Sequence, residues 1–213
     1  LAPLLLQRPG LRVLGSTERR WTDLFAKNGA RYVAPTLVLY TEADRSGCGA
    51  AQAAMGPFYC PADQSIYLDV NFFNELAGRF GAKGDFAAAY VIAHEVGHHV
   101  QTITGISEKV RRAQQSASEA EGNALQVRME LQADCYAGVW AKNDANLMEP
   151  GDLEEGLTAA NAIGDDTLQK AAGMRRPVPE KFTHGSSAQR VEWLRRGYES
   201  GDPAKCDTFS GSI

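Results

Sequence analysis

Residues 93–101 read AHEVGHHVQ and contain three of the four histidines of this 213-residue chain. The apolar, alanine-rich residues around this stretch predict that it lies on a buried helix. His94 and His98 are four residues apart, so both side chains project from one face and can reach a single ion, with Glu95 beside them. Two unpaired histidines and a glutamate would be costly to bury, so the pattern favours a metal centre over ordinary core histidines.

His94 to His98 form the pattern HExxH, in which two neutral imidazoles bind zinc and the glutamate takes a proton from the attacking water. Catalytic zinc usually has three protein ligands, so a third ligand must come from elsewhere. His99 lies too far round the helix to share the ion, and we expect it to pack or to form a hydrogen bond. No further histidine occurs before His184, which disfavours the longer pattern HExxHxxGxxH.

The segment ELQAD, residues 130–134, can supply the third ligand. Glu130 and Asp134 are four residues apart in an otherwise apolar helical pattern, where an unpartnered pair of carboxylates would be costly. We expect Glu130 to bind the ion and Asp134 to accept a hydrogen bond from the other ring N–H of a ligating histidine. The alternative is that Glu130 forms an ion pair with Arg128 or with another helix.

The composition excludes some classes of partner. Charged residues make up 23% of the chain, the net charge is -4 and no basic block occurs, which argues against a nucleic-acid-binding surface. No apolar run approaches the roughly 20 residues of a membrane helix. The length suits a single domain over 1–213. Residues 1–15 contain proline and glycine without a clear period, so we expect a loosely packed N-terminal segment there.

The order of the predicted elements indicates an α+β fold. A helix is predicted over Thr17–Lys27, and strands are predicted at 36–43 and 65–73, where β-branched and aromatic residues concentrate. From residue 85 onward the pattern is almost entirely helical, so we expect a small N-terminal sheet over a helical core with the HExxH helix at its centre. The last helix is predicted to begin at Ser187 and to end at Gly201.

Two of the later helices have candidate capping boxes. Asn123 with Gln126, and Asp152 with Glu155, have the spacing in which a side chain at the helix start and one three residues later satisfy each other's backbone amides.

The four cysteines, Cys48, Cys60, Cys135 and Cys206, never form a CxxC pair, which weakens a zinc-ribbon interpretation. The turn-rich segment 48–60 favours a bridge between its two cysteines, and a second bridge would join the other two. The alternative is that the cysteines are buried reduced thiols. If both bridges form, the protein functions outside the cytoplasm.

HExxH followed by a helix that reads E-x-x-A-D resembles the gluzincin zinc peptidases. Within that group, four segments are similar to the bacterial neutral zinc metallopeptidases of the YpfJ-like family, and the likeness covers roughly residues 36 to 209. These segments are CGAAQAAMGPFYCPADQSIYLD (48–69), AHEVGHHVQ (93–101), ELQADCYAGVW (130–140) and FTHGSSAQRVEWLRRGYESGD (182–202).

The resemblance implies a zincin-like core, zinc on His94, His98 and Glu130, and Glu95 as the catalytic carboxylate. It also implies a zinc-dependent endopeptidase. His184 precedes the last helix at the position of a His-Pro segment in related gluzincins, although Gly185 replaces the proline. We expect His184 to donate to the oxyanion, the alternative being a capping or surface histidine. Tyr136 and Tyr198 are weaker candidates for that role, and Arg190 can orient the His184 loop or Asp134.

The expected partner is a peptide or protein substrate, which would lie extended along an edge strand, either of the two predicted ones. The loop between Cys48 and Cys60 could form a wall of that cleft. Family members typically begin with a membrane-spanning segment that this chain lacks, which implies an extracytoplasmic protein that is membrane-anchored at full length. The rival functions are a non-catalytic zincin-fold binding module with a retained metal site and a metal hydrolase of a non-peptide bond.

Overall fold

The computed structural model describes residues 2–52, 56–72, 85–144 and 146–213, without the side chains of 2–9, 52 and 85. The fold is α+β, as predicted, and its core is helical. The helices of the described residues are α1 (Ala2–Lys27), α2 (Asp85–Ile103), α3 (Ile106–Gln115), α4 (Glu119–Asn143), α5 (Asp152–Ala162), α6 (Asp165–Ala171) and α7 (Ser187–Ser200). Short 3-10 turns occur at Pro179–Lys181 and Pro203–Lys205.

Helix α4 lies between α2, which carries HExxH, and α7. Nearly every residue of α4 from Met129 to Ala141 is buried, as is most of α2. Val96 of α2 and Leu131 and Val139 of α4 have no exposed surface, so the two helices share one apolar core. This packing gives the HExxH helix the central position that its apolar residues predict.

Two glycines allow α4 and α7 to approach closely. A Cβ on Gly138 would lie 2.1 Å from the carbonyl oxygen of Leu194, and a Cβ on Gly197 would lie 1.9 Å from that of Cys135. No side chain can occupy either position without separating the helices. The close contact places the first turn of α7 beside the middle of α4, where Glu130 and Asp134 lie.

The main sheet has three strands in the order β1 (Thr36–Tyr40), β5 (Ser65–Asp69), β4 (Phe58–Cys60). Strand β5 is parallel to β1, with Thr36 opposite Ser65, and antiparallel to β4. The two predicted strands are confirmed but are shorter, and residue 73 lies outside the described residues. Because β5 is central, it cannot be an open edge, so that part of the expectation is wrong. Strands β2 (Ala43–Ser46) and β3 (Gly49–Gln52) form a separate antiparallel hairpin.

Both expected disulfides are present. Cys48, in the turn of the β2–β3 hairpin, is bridged to Cys60 at the end of β4, and Cys135 of α4 is bridged to Cys206 in the C-terminal segment. The Cα atoms are 5.8 Å and 5.6 Å apart respectively, within the usual range for a bridge. The first bridge fastens the hairpin to an edge strand, and the second fastens the chain end to the core.

The N-terminal helix begins much earlier than expected. It starts at Ala2, not Thr17, so the predicted start of this helix is wrong, while loose packing of residues 1–15 stays a prediction. Pro9 and Gly10 are poor interior helix residues, which is why the local pattern gave no helix there. Val13 and Leu14 pack against the two main apolar clusters, and this tertiary packing favours the continuous helix.

Both candidate capping boxes are also wrong. Helix α4 begins four residues before Asn123, where Ser118 and Glu121 form the box instead. Helix α5 follows Gly151 and has no side-chain cap, because the Asp152 carboxylate accepts the N–H of Glu149 at 2.7 Å. The last helix begins and ends as predicted.

Candidate metal centre

His94 and His98 of α2 and Glu130 of α4 converge on one point. One possible ligand atom from each lies within 4.8 Å of those of the other two. The Nε2 atoms of the two imidazoles are 3.1 Å apart, and Glu130 approaches them at 3.1 Å from His94 and 3.4 Å from His98. The structure therefore brings together the three residues that the sequence predicts as ligands, and they can hold a metal ion.

The hydrogen bonds of the two Nδ1 atoms show which ring nitrogens of His94 and His98 carry a proton. Nδ1 of His94 lies 2.8 Å from a carboxylate oxygen of Asp134, and Nδ1 of His98 lies 2.9 Å from the side-chain oxygen of Gln101. Both oxygens are acceptors, so each Nδ1 carries the proton. In the neutral rings, both Nε2 atoms then present lone pairs to each other and to the Glu130 carboxylate. Three converging acceptors need a cation between them, which is the donor set of a zinc site.

The electrostatics of the cluster agree with this requirement. Burial alone would lower the pKa of His94, but the carboxylates of Asp134 and Glu130 outweigh it and raise the pKa to about 10. Burial likewise opposes ionisation of Glu130, yet the imidazoles of His98 and His94 hold its pKa well below the usual range. The site therefore attracts positive charge, whether a proton or a metal ion supplies it.

Asp134 connects the cluster to α7. Its carboxylate is fully buried and accepts three further bonds besides the one from His94. Arg190 donates to both of its oxygens, through Nε at 3.0 Å and Nη2 at 3.1 Å, and the hydroxyl of Tyr90 donates at 2.6 Å. Arg190 thus orients Asp134, one of its two expected roles. Tyr90 was not predicted, because an isolated aromatic residue on a helix is usually only packing.

Arg128 is not the partner of Glu130, and the other helix that Glu130 approaches is α2, at His94 and His98. Arg128 donates its Nη2 to the main-chain oxygen of Gly211 at 3.0 Å and its Nη1 to that of Thr208. Glu130 instead accepts from Gln126, one turn earlier on α4, at 3.2 Å. Arg128 therefore holds the C-terminal segment, and the carboxylate of Glu130 faces the imidazoles.

Glu95 adjoins the cluster and is only 7% exposed. Burial raises the pKa of its carboxyl, and the neighbouring imidazoles of His94 and His98 act in the opposite direction. Its side chain lines the same cleft as the candidate ligands. A carboxylate with a raised pKa beside a cation site can accept a proton and return it.

A cleft of about 960 Å³ lies over the cluster and follows α2. One turn before the histidines, Val91 lines it together with Ile163 and Leu168. One turn after them, Thr102 and Ser107 make the lining polar. Gly56, Pro57, Phe58 and Tyr59 also line the cleft, so the second half of the loop between Cys48 and Cys60 forms part of it, as expected.

His184 also lines the cleft and is held there by Asp165. One carboxylate oxygen of Asp165 accepts the backbone N–H groups of Thr183, His184 and Gly185 at 2.8, 2.7 and 3.0 Å. Its other oxygen lies 3.3 Å from Nδ1 of His184. This hydrogen bond raises the pKa of His184, although partial burial opposes the shift. No local signal identified Asp165, since it lies 19 residues away at the start of α6.

The remaining aromatic and histidine candidates lie elsewhere. Tyr136 is buried against Trp21, and Tyr198 lies under the amino group of Lys142, so neither lines the cleft. His99 is fully buried and forms hydrogen bonds, as expected: Nε2 lies 2.6 Å from the Val33 carbonyl, and Nδ1 lies 3.0 Å from the Tyr59 hydroxyl. It fastens the edge strand β4 to the HExxH helix.

Comparison with known proteins gives a consistent result. The family model described as "Putative neutral zinc metallopeptidase" matches residues 9–209. The chain belongs to this family. It is 55% identical over 203 residues to "Uncharacterized protein YpfJ" of Escherichia coli K12, covering 94% of this chain and 70% of the relative. It is 45% identical over 194 residues to "Uncharacterized protein Rv2575" of Mycobacterium tuberculosis, covering 85% and 64%. No solved structure matches the chain.

Family membership agrees with the zinc-type donor set of His94, His98 and Glu130. The two disulfides are consistent with an extracytoplasmic location for this family member. Among the described residues, no helix is both long and apolar enough to cross a membrane.

Replacing Asp134 by Asn should weaken metal binding by roughly 10- to 100-fold, because His94 loses the anion that fixes its ring. It should also destabilise the metal-free protein by about 3–5 kcal/mol, since Arg190 remains buried without a counter-charge. Zinc competition with a chromophoric chelator and urea unfolding measure the two effects.

Asp144→Asn is the matched control. That carboxylate is also buried, but it binds Ser16 and Arg20 at the other end of α4. The control should lose stability and keep its zinc affinity. Equal zinc affinity in both variants would contradict the role assigned to Asp134.

Proposed function

We propose that this chain is a zinc-dependent endopeptidase that hydrolyses peptide bonds, with Glu95 as general base. The convergence of His94, His98 and Glu130 within 4.8 Å, on the floor of a cleft that Glu95 also lines, is the observation that carries the proposal. Two ligands from one helical turn and a third from a separate helix leave room for an open coordination position, which a catalytic site needs and a structural one normally closes.

Zinc held by these three residues would act as a Lewis acid, polarising the scissile carbonyl and making a water more acidic. Glu95 then accepts the proton of the attacking water and returns it to the departing amine nitrogen. Its raised pKa suits both transfers, because a carboxyl poised nearer to neutrality can take up and release a proton. Tyr90, Asp134 and Arg190 keep the His94 ring in the tautomer whose Nε2 faces the ion.

His184 is proposed to donate a hydrogen bond to the oxyanion that forms at the scissile carbonyl. It faces the cleft from the loop before α7, and Asp165 fixes both the loop backbone and the ring. Because Asp165 accepts at Nδ1, the Nε2 of His184 carries a hydrogen and can donate only when the ring is protonated. The raised pKa keeps the ring positively charged over a wider pH range, which strengthens the donor.

The proposed path of the substrate is along β4. Among the described strands, β4 pairs only with β5, so its other edge has free backbone groups, and Phe58 and Tyr59 line the cleft. An extended peptide can therefore add to this edge as a further strand. The sequence did not predict β4. We prefer β4 to the other edge strand, β1, because no residue of β1 is among the described lining of the cleft.

An endopeptidase is favoured over an exopeptidase by the charges in the cleft. Among its described lining residues, those that can carry a charge near neutral pH are the candidate ligands, Glu95, His184 and Arg190. Arg190 is already paired with Asp134. The others are assigned to the metal or to the reacting groups, so none is available to bind the free amino or carboxyl terminus of a substrate. Because the two disulfides suit an oxidising compartment, we place the substrates outside the cytoplasm and infer membrane anchorage of the full-length protein from the family resemblance alone.

Glu95→Gln should keep zinc and lose peptidase activity by about 10²–10⁴-fold, because the amide cannot accept the water proton. Zinc content by mass spectrometry and cleavage of casein or another unstructured substrate check this. Glu155→Gln, which alters a partly buried carboxyl on α5 outside the cleft, is the control and should retain both properties.

Zinc in both proteins with cleavage by the native chain alone would support the proposal. Absence of zinc from the native chain would overturn it. Zinc with no turnover of any peptide would shift the assignment to a binding module that has retained the metal site.

The pH profile tests His184. Activity should fall as pH rises through the raised pKa of His184, because the neutral ring keeps its proton on Nδ1 beside Asp165 and loses the Nε2–H donor. Asp165→Asn removes the carboxylate that raises this pKa, so the alkaline fall in kcat/KM should move to lower pH. Asp166→Asn is the control, because Asp166 accepts from Ser187 instead, and its alkaline limb should match that of the native chain. Identical alkaline limbs in all three proteins would exclude this role for His184.

A further inference from the structure

The two candidate histidine ligands have different supporting partners. His94 is held by the anionic Asp134, whereas the Nδ1 of His98 lies 2.9 Å from the Oε1 of Gln101, one turn later on the same helix. Gln101 has no exposed surface. A glutamine amide can present either its oxygen or its nitrogen to His98. The hydrogen bonds that orient the Gln101 amide therefore decide which tautomer His98 adopts.

Two acceptors fix the amide of Gln101. Its Nε2 donates to the main-chain oxygen of Met129 at 2.8 Å and to the side-chain oxygen of Gln132 at 3.0 Å. Both amide protons are thereby used, and the oxygen is left for His98. The Nε2 of Gln132 in turn donates to the main-chain oxygen of Cys206 at 2.9 Å. Since main-chain oxygens only accept, they fix the direction of every hydrogen bond back to the imidazole.

We propose that Gln101 and Gln132 form a glutamine relay that positions His98 for metal binding and that is anchored on the carbonyl of Cys206. The relay keeps the proton of His98 on Nδ1 and so keeps the Nε2 lone pair facing His94 and Glu130. This inference rests on the metal site of the proposed function, and it concerns affinity for the ion, not the hydrolytic step. Gln101 and Gln132 are positioning residues.

The charges around the two histidines explain why His98 is supported by neutral amides and not by a carboxylate. The carboxylate of Asp134 is balanced by Arg190, which donates to both of its oxygens. The partners of the Gln101 side chain are neutral: a ring N–H, a main-chain carbonyl and an amide oxygen. A carboxylate in that position would face two acceptor oxygens in a buried site, which is unfavourable. An amide fixes the ring without adding charge.

The anchor of the relay is the segment that the second disulfide holds. Cys206 is bridged to Cys135 on α4, one turn after Leu131, and is itself buried. Thr208 follows it and donates to the main-chain oxygen of Arg128 at 2.6 Å. The C-terminal segment thus holds the Cys206 carbonyl rigidly against α4, at the far end of the relay from His98.

The test is a double-mutant cycle on zinc affinity. Gln101→Met should weaken zinc binding by roughly 10- to 100-fold, as expected for loss of a group that orients a ligand. Gln132→Met should have a smaller effect, because Gln101 keeps its bond to Met129. The double variant should bind zinc no more weakly than Gln101→Met alone, because Gln132 acts only through Gln101. Competition with a chromophoric chelator gives each dissociation constant.

Two controls separate positioning from loss of fold. Gln114→Met changes a partly buried glutamine that donates to the main-chain oxygen of Gly122 in the first turn of α4, and it should leave zinc affinity unchanged. Urea unfolding of each metal-free variant shows whether it folds. If Gln101→Met does not fold, the test uses Gln132→Met and measures solvent exchange of the Nδ1–H proton of His98. This proton should exchange slowly in the zinc-loaded native chain and faster in the zinc-loaded variant.

Zinc affinities of Gln101→Met and the native chain within about twofold of each other would overturn the relay, as would additive losses in the double variant. Unchanged exchange of the His98 ring proton in Gln132→Met would also overturn it. A native chain that binds zinc but cleaves no peptide would remove the proposed function and leave the relay intact. Zinc binding with cleavage, but without an effect of Gln101→Met, would remove the relay alone.

Discussion

The buried carboxylate of Asp134 is the contact on which the site depends. It accepts from His94 and Tyr90 of α2 and from Arg190 of α7, so a single side chain of α4 joins all three helices. Such a carboxylate is stable only when its partners are close and complete. The contacts at Gly138 and Gly197 bring α7 near enough for Arg190 to reach it. The packing of the core therefore also fixes the orientation of His94, the first candidate ligand.

The second candidate ligand, His98, is held by a separate, uncharged network. Around His94 the negative charge of Asp134 is balanced by Arg190, while around His98 the chain uses the amides of Gln101 and Gln132. The unbalanced charge that remains in the cluster is the carboxylate of Glu130, which faces both Nε2 atoms. A divalent cation satisfies all three acceptors, and this need explains why so many polar groups are buried in an otherwise apolar core.

Local patterns predicted the three candidate ligands that the structure brings together, because HExxH and the spacing of Glu130 and Asp134 each lie within two turns of one helix. The sequence also predicted the fold class, the main strands and both disulfides. It could not predict Asp165 or the relay from Gln132 to Cys206, because these contacts join residues that are 19 and 74 positions apart. Strand β4 was missed because it has only three residues and follows Gly56 and Pro57, which are typical of a loop. The early start of α1 was missed because tertiary packing outweighs Pro9 and Gly10.

The most direct test of the metal centre is zinc K-edge X-ray absorption of the chain loaded with one equivalent of zinc. We expect one ion with two imidazole ligands at about 2.0–2.1 Å, further oxygen neighbours and no sulfur. Glu130→Gln should lower the affinity and change the oxygen shell while both imidazoles remain. A sulfur neighbour at about 2.3 Å, or fewer than two imidazoles in the native chain, would show that His94, His98 and Glu130 do not share one ion.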